Sequence, residues 1–72
     1  MRTYVVSFLY REPTYAKWRG IDERDYRASF EVVAADPAAA EREARRLFKE
    51  AAALATVWWA RVIVSARVVE KH

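Results

Sequence analysis

The sequence predicts a small α+β fold, in which a three-stranded antiparallel sheet carries a single helix on one face. Residues 3–10 and 25–34 alternate in the period of two that a half-buried strand shows. Residues 56–70 alternate in the same way, and an alanine-rich segment with helical spacing precedes them. The predicted order is therefore β-β-α-β, in one domain that spans residues 1–72.

The predicted helix begins at an Asp-Pro pair. The carboxylate of Asp36 can accept a hydrogen bond from the free amides of the first turn, and Pro37 is well tolerated at the first helical position. Apolar residues then recur every three or four positions, which predicts a narrow stripe that packs on the sheet. The stripe consists of Ala40, Ala44, Leu47, Phe48, Ala51 and Leu54 or Ala55. A right-handed crossover through this helix places the third strand beside the first, in spatial order 2-1-3.

The third predicted strand divides its side chains between two faces. One row is apolar throughout and is predicted to enter the core: Trp58, Ala60, Val62, Val64, Ala66 and Val68. The first two strands are predicted to add Tyr4, Val6, Phe8, Tyr26 and Phe30. The other row of the third strand, which includes Trp59, Arg61, Ile63 and Arg67, is predicted to lie on the uncovered face. A mixed apolar and cationic face is typical of a surface that meets a partner. Replacement of Trp58 should then unfold the chain, whereas replacement of Trp59 should only weaken association.

The composition limits how so short a chain can be stabilised. A domain of 72 residues buries only about 60% of the surface that its unfolded chain exposes. Domains of this size often depend on a disulfide, a metal or a second subunit. The chain has no cysteine, and its single histidine, His72, cannot form a soft-ligand metal site alone. We therefore expect a homodimer.

Enzymatic chemistry is not indicated. The chain has no cysteine nucleophile and no internal histidine that could act as a base, and its three serines have no triad partner. The carboxylates of Asp22, Glu23 and Asp25 are interleaved with arginines, which favours a solvated turn over a cation site. Gly20 is the only glycine, so a glycine-rich phosphate loop is excluded. We expect a non-enzymatic protein without a cofactor, metal or small-molecule substrate.

The hydropathy pattern does not indicate a membrane protein. The longest uncharged run, residues 51–60, is 10 residues long, whereas a helix needs about 20 apolar residues to cross a bilayer. The start of the chain lacks the cleavage pattern of a signal peptide. We therefore expect a cytoplasmic protein with no membrane partner.

The predicted loop at residues 11–24 supplies a second candidate surface. Trp18 and Arg19 lie there, and a tryptophan beside cations is suited to stacking on a base or to anchoring in a protein pocket. The alternative is that Trp18 folds back over the end of the core. The leading hypothesis is a binding protein that engages a protein partner or a second copy through this loop and the uncovered sheet face. The alternative is a small nucleic-acid-binding protein, with arginines on phosphates and tryptophans stacked on bases.

The junction between the second strand and the helix adds a resemblance. The run from Phe30 through Asp36 and Pro37 to Ala44 resembles the strand-to-helix junction of small standalone β-β-α-β proteins. Many of these are accessory proteins of phages or mobile elements, including anti-CRISPR inhibitors that occupy a protein surface or its nucleic-acid channel. The resemblance covers residues 26–48 and is one of architecture. It contains no functional motif and transfers no functional residue, and small ribosomal domains can show the same junction.

Overall fold

The sheet has the predicted antiparallel architecture. The structure is a computed structural model that describes residues 1–72. Its elements are β1 (Arg2–Arg11), α1 (Pro13–Arg19), β2 (Tyr26–Ala34), α2 (Pro37–Leu54) and β3 (Val62–Glu70). The strand order is β2-β1-β3, and β1 pairs antiparallel with both neighbours. The fold class predicted from the alternation and the crossover rule is confirmed.

The core lies between one face of the sheet and α2. Its centre is formed by Tyr4, Val6 and Phe8 of β1, each no more than 1% exposed. The remaining members of the core are Val32, Ala34, Ala40, Ala44 and Phe48. Because two of the helical members are alanines with no exposed surface, the helix axis can approach the sheet closely. Nine of the 72 residues are buried, which is a thin core for an independent domain.

α2 begins as the sequence predicts and then departs from the predicted stripe. Asp36 Oδ1 accepts a hydrogen bond from the Ala39 amide at 2.8 Å, and Pro37 occupies the first turn. Towards its end the stripe continues through the half-buried Ala52, four residues after Phe48, and not through Ala51, which is exposed. Leu54 is 79% exposed. Neither helix combines the length and apolar character that crossing a membrane would need.

The predicted loop contains a second helix, α1, so the prediction of a continuous loop at residues 11–24 is wrong. Pro13 lies in the first turn, and Gly20 ends the helix in the left-handed region with a φ of 68°. The amide of Ile21 donates to the Ala16 carbonyl oxygen at 3.0 Å, which closes the last turn. This arrangement follows the common asymmetry of proline at a helix start and glycine at its end.

A β-bulge changes the face assignment in β3. Val68 lies opposite Val6 and Ala66 opposite Phe8, as the apolar row predicted. Between Leu9 and Tyr10 the register then shifts, because Leu9 pairs with Ser65 while Tyr10 pairs with Ile63. Val64 is the extra residue. Side chains on its N-terminal side therefore point to the face opposite to the one that simple alternation predicts.

The bulge corrects several assignments in the third strand. Ile63 packs against the core and does not lie on the uncovered face. Val62 and Val64, which were predicted to enter the core, are 48% and 51% exposed. β3 begins only at Val62, so the two preceding tryptophans precede the regular strand and its alternation does not apply to them. As a result, Trp58 is 64% exposed, although the sequence predicted it to be buried.

The bulge can be tested with two neighbouring substitutions. Val64→Lys is expected to change the free energy of unfolding by less than about 0.5 kcal/mol, because the side chain is exposed. Ile63→Lys should cost about 2 kcal/mol or more, because it places a charge against the core. Urea titration followed by circular dichroism measures both. An uninterrupted strand register predicts the opposite order of the two costs, and that order would refute the bulge.

The molecule is long for its size. Its principal extents are 44 × 21 × 15 Å, and its radius of gyration is 13.6 Å, compared with about 11 Å expected for a compact domain of this length. β1 alone spans about 34 Å at 3.4 Å per residue, and α1 follows it. The end of the sheet at which β1 stops and β3 begins therefore carries α1 and the segment that precedes β3.

Candidate functional site

Four aromatic side chains gather at this end of the sheet. We call Tyr15, Trp18, Trp58 and Trp59 the aromatic cluster. The Tyr15 and Trp59 ring centroids are 4.4 Å apart, and those of Trp18 and Trp58 are 5.9 Å apart with the planes at 83°. Trp58 and Trp59 also meet edge to face, at 6.0 Å. The cluster thereby joins α1 to the segment before β3.

Glu12 holds the inner side of the aromatic cluster in place. Trp59 Nε1–H donates a hydrogen bond to Glu12 Oε2, and Arg61 Nε lies 3.5 Å from the same oxygen. The Glu12 side chain is only 11% exposed, so its charge is poorly solvated and gains from both neighbours. The prediction that Trp59 lies on the uncovered face is therefore wrong, because its own chain half buries it and binds its indole nitrogen.

Arg61 also lies elsewhere than predicted. Its guanidinium carbon is 5.9 Å from the ring centroid of Tyr10, a residue packed against the core. The side chain is 25% exposed and faces the helix side of the sheet. The bulge places Ile63 and Arg61 on the helix side of the sheet, whereas the alternation in the sequence predicted that both lie on the uncovered face.

The outer side of the aromatic cluster is open to solvent. Trp18 is 63% exposed and Trp58 is 64% exposed, and Arg19 beside them is exposed as well. Tryptophan is large, and an indole normally gains by burying most of its surface. The alternative in which Trp18 folds back over the core is therefore not what the structure adopts. Two exposed indoles in edge-to-face contact form an apolar platform with cations nearby.

A cationic groove runs along the C-terminal half of α2 and the start of β3. It has a volume of about 710 Å³ and is lined by nine residues, five of them cationic and none acidic. The cationic residues are Arg42, Arg45, Arg46, Lys49 and Arg61. Phe48, Ala52, Val62 and Ile63 form its apolar floor. We call this surface the cationic groove.

The charges of the cationic groove are neutralised unequally. Arg46 pairs with Glu43 at 2.7 Å and with Glu50 at 2.9 Å. The hydrogen bond from Arg46 holds the pKa of the Glu43 carboxyl below its usual value, and the same contact raises the pKa of Arg46. Arg42 and Lys49 have no carboxylate within 4.0 Å. These two cations are seven residues apart, so they share one side of the helix about 10 Å apart along its axis.

The face of the sheet opposite α2 is uncovered, as predicted, but its composition differs from the prediction. Arg67 lies there, opposite Ser7 of β1, whereas the apolar anchors Trp59 and Ile63 do not. The acidic loop residues do not converge on a cation site. Asp25 instead accepts a hydrogen bond from Arg11 at 2.7 Å, and this contact raises the pKa of Arg11.

Of the predicted contact residues, the structure brings Trp18, Arg19, Trp59 and Arg61 to one end of the molecule and leaves Arg67 on the open face. Sequence reasoning did not include Arg42, Lys49 or Trp58 among the candidate contact residues, although the first two line the cationic groove and Trp58 is largely exposed. The seven-residue spacing of Arg42 and Lys49 was a usable signal, since it places both on one helix face. No signal marked Trp58, because its exposure depends on where β3 begins. No family model, curated protein or solved structure matches the chain.

Proposed function

We propose that this chain is a non-enzymatic protein that binds single-stranded nucleic acid. The cationic groove contacts the phosphates, and the exposed indoles of Trp18 and Trp58 stack on bases. The observation that carries the proposal is the position of two largely exposed tryptophans beside a groove lined by five cations, of which Arg42 and Lys49 have no carboxylate partner. The sequence also predicted nucleic-acid binding as the alternative function, but with a different set of contact residues.

The charge of the groove supports a polyanionic ligand. Arginine binds phosphate through paired N–H donors, and lysine adds a point charge. Arg42 and Lys49 have no internal partner to give up, so their interaction with phosphate is not offset by a broken ion pair. The formal net charge of +3 also favours an anionic ligand over a cationic one.

The aromatic platform favours unpaired bases over a duplex. Stacking needs the flat face of a base, which a double helix hides and a single strand offers. Trp58 lies three residues before Arg61, so their Cα atoms are no more than about 11 Å apart. One short strand can therefore contact the groove and the platform together.

The uncovered face of the sheet lacks the apolar side chains that were expected to anchor a protein partner there. Trp59 and Ile63 were its expected anchors, and both are packed against their own chain. Burial of these side chains can no longer contribute to association. For this reason we favour nucleic acid over a protein partner.

Removal of the two free groove cations tests the proposal. The Arg42→Gln/Lys49→Gln double variant is expected to bind a fluorescent dT oligonucleotide at least about tenfold more weakly at low salt. The slope of log K against log salt should also fall by about 1.4, since each single-strand phosphate contact contributes about 0.7. Fluorescence anisotropy at a series of salt concentrations measures both quantities.

A matched control separates the site from the overall charge. The Arg2→Gln/Lys71→Gln variant loses the same two charges at the other end of the sheet, and both side chains are exposed. We expect its affinity and its salt slope to stay close to those of the parent. Equal losses in the two variants would show non-specific attraction, and no binding by the parent protein would refute the proposal.

A second candidate is a protein interface, including a homodimer or an inhibitor that occupies another protein's surface. It is favoured by the exposed valines of the strands: Val33, Val62, Val64 and Val69 are 62%, 48%, 51% and 47% exposed. β3 is also an edge strand, which can pair with another strand. Light scattering distinguishes the candidates, because an apolar interface should persist at high salt in the absence of any oligonucleotide.

A further inference from the structure

We propose that the uncovered face of the sheet holds a separate binding site for a phosphate group. The site is a depression of about 270 Å³ that crosses all three strands. Its polar lining consists of Ser7, Arg27, Ser29, Ser65 and Arg67. No carboxylate lines it. It lies on the opposite side of the sheet from α2 and the cationic groove, so it does not rest on the function proposed above.

The strand register sets the geometry of this site. Ser7 is the central residue of one row, with Ser29 on one side and Arg67 on the other. Leu9 is central in the next row, between Arg27 and Ser65. The two arginines therefore lie on a diagonal across β1, with Cα atoms about 12 Å apart by standard strand spacing. Two long side chains directed inwards from such positions can close on one oxyanion.

The positive charge of the site is not neutralised within the chain. Neither Arg27 nor Arg67 has a carboxylate within 4.0 Å. The nearest acidic residue on this face of β2 is Glu31, which lies opposite Val5 in the row on the other side of Ser7. Glu31 pairs with Lys71 at 3.1 Å. Two guanidinium groups thus share one depression without a counter-ion, which is favourable only when an anion joins them.

The serines supply donors of the kind that a phosphate needs. Ser7 Oγ and Ser29 Oγ are 2.9 Å apart, so one hydroxyl donates to the other. Since each hydroxyl carries one proton, the second proton of the pair remains free to point out of the sheet. Ser65 adds a third hydroxyl, and Leu9 forms an apolar floor. Two guanidinium groups and two available hydroxyl protons match an ion with several acceptor oxygens.

The test is a titration with inorganic phosphate, followed by ¹H–¹⁵N NMR at constant ionic strength, with sodium chloride as the reference titration. We expect saturable shifts of the amides of Ser7, Ser29 and Arg67, with half-saturation in the range of about 1–10 mM. The Arg27→Gln and Arg67→Gln variants should each weaken binding about tenfold. Arg2→Gln, which removes a cation at the start of the central strand β1, should not.

Two arms identify the source of the phosphate. If the ligand is a free phosphate or phosphomonoester, Arg27→Gln/Arg67→Gln leaves the affinity for the dT oligonucleotide unchanged. If the ligand is a nucleic-acid backbone, Arg27→Gln/Arg67→Gln lowers the affinity for the dT oligonucleotide and the salt slope of that affinity. In both cases the Arg42→Gln/Lys49→Gln variant still shows the amide shifts on the open face when inorganic phosphate is added. Shifts that do not saturate, or that sodium chloride reproduces, would overturn the proposal whatever the fate of the cationic groove.

Discussion

Replacement of Phe48 by alanine is expected to lower the melting temperature by about 12 °C or more. Phe48 is 7% exposed and is the largest side chain that α2 inserts into the core. Its ring centroid lies 5.5 Å from that of Phe8, 5.2 Å from Tyr10 and 6.5 Å from Phe30. The truncation leaves a cavity among three rings that cannot all move into it.

The size of this effect follows from the thin core. Loss of a buried phenylalanine costs about 3–5 kcal/mol, and a 72-residue domain at 0.05–0.15 kcal/mol per residue has only about 4–11 kcal/mol in total. Thermal unfolding followed by circular dichroism measures the change. Leu54→Ala is the control on the same helix, because Leu54 is 79% exposed and its removal should move the transition by no more than a few degrees. A small effect of Phe48→Ala would contradict the assigned core.

The fold could be predicted because three signals agree. The alternation of β1 and β2, the Asp36-Pro37 start of α2 and the rule for right-handed crossovers allow a single arrangement of one sheet and one helix. The first two signals are local in the sequence, and the structure has both of them together with the strand order that the crossover rule predicts. α1 carried a comparable signal in Pro13 and Gly20. It was missed because charged residues surround it and only Ala16 is buried.

The faces of β3 could not be predicted, for a specific physical reason. Val62, Ile63 and Val64 are three consecutive β-branched residues, so both registers present an apolar side chain to the core and the sequence does not choose between them. The choice is made by a bulge opposite Leu9 and Tyr10, where pairing with β1 skips one residue. The single extra residue in the bulge thus exchanges the faces on which Val62 and Ile63 lie.

The candidate site depends on that same bulge. Arg42 and Lys49 could be placed on one helix face from their spacing, but not beside β3. Arg61 joins them in the cationic groove only because it lies on the helix side of the sheet, over Tyr10. The sequence predicted that Trp59, Arg61 and Ile63 share the uncovered face, whereas the structure places Arg61 and Ile63 on the helix side and Trp59 against Glu12.

The Trp18→Ala/Trp58→Ala double variant is expected to bind single-stranded oligonucleotide at least about 30-fold more weakly, with little change in melting temperature. Loss of a stacked aromatic costs about 1–3 kcal/mol per base, so two such losses correspond to about 30-fold or more. Both indoles are more than 60% exposed, so their removal costs the fold little beyond their contacts with each other, with Tyr15 and with Trp59. Anisotropy titration and thermal unfolding of the same sample measure the two effects.

Trp59→Ala is expected to show the opposite pattern. Trp59 is half-buried, packs against Tyr15 in a tilted contact with the ring centroids 4.4 Å apart, and donates a hydrogen bond to the poorly solvated Glu12, so its loss should destabilise the chain by about 2 kcal/mol or more. A simple strand alternation predicts the reverse, with Trp58 as the structural residue and Trp59 as the contact. Unfolding by Trp58→Ala alone, with a stable Trp59→Ala, would therefore overturn the aromatic cluster and the proposed stacking platform together.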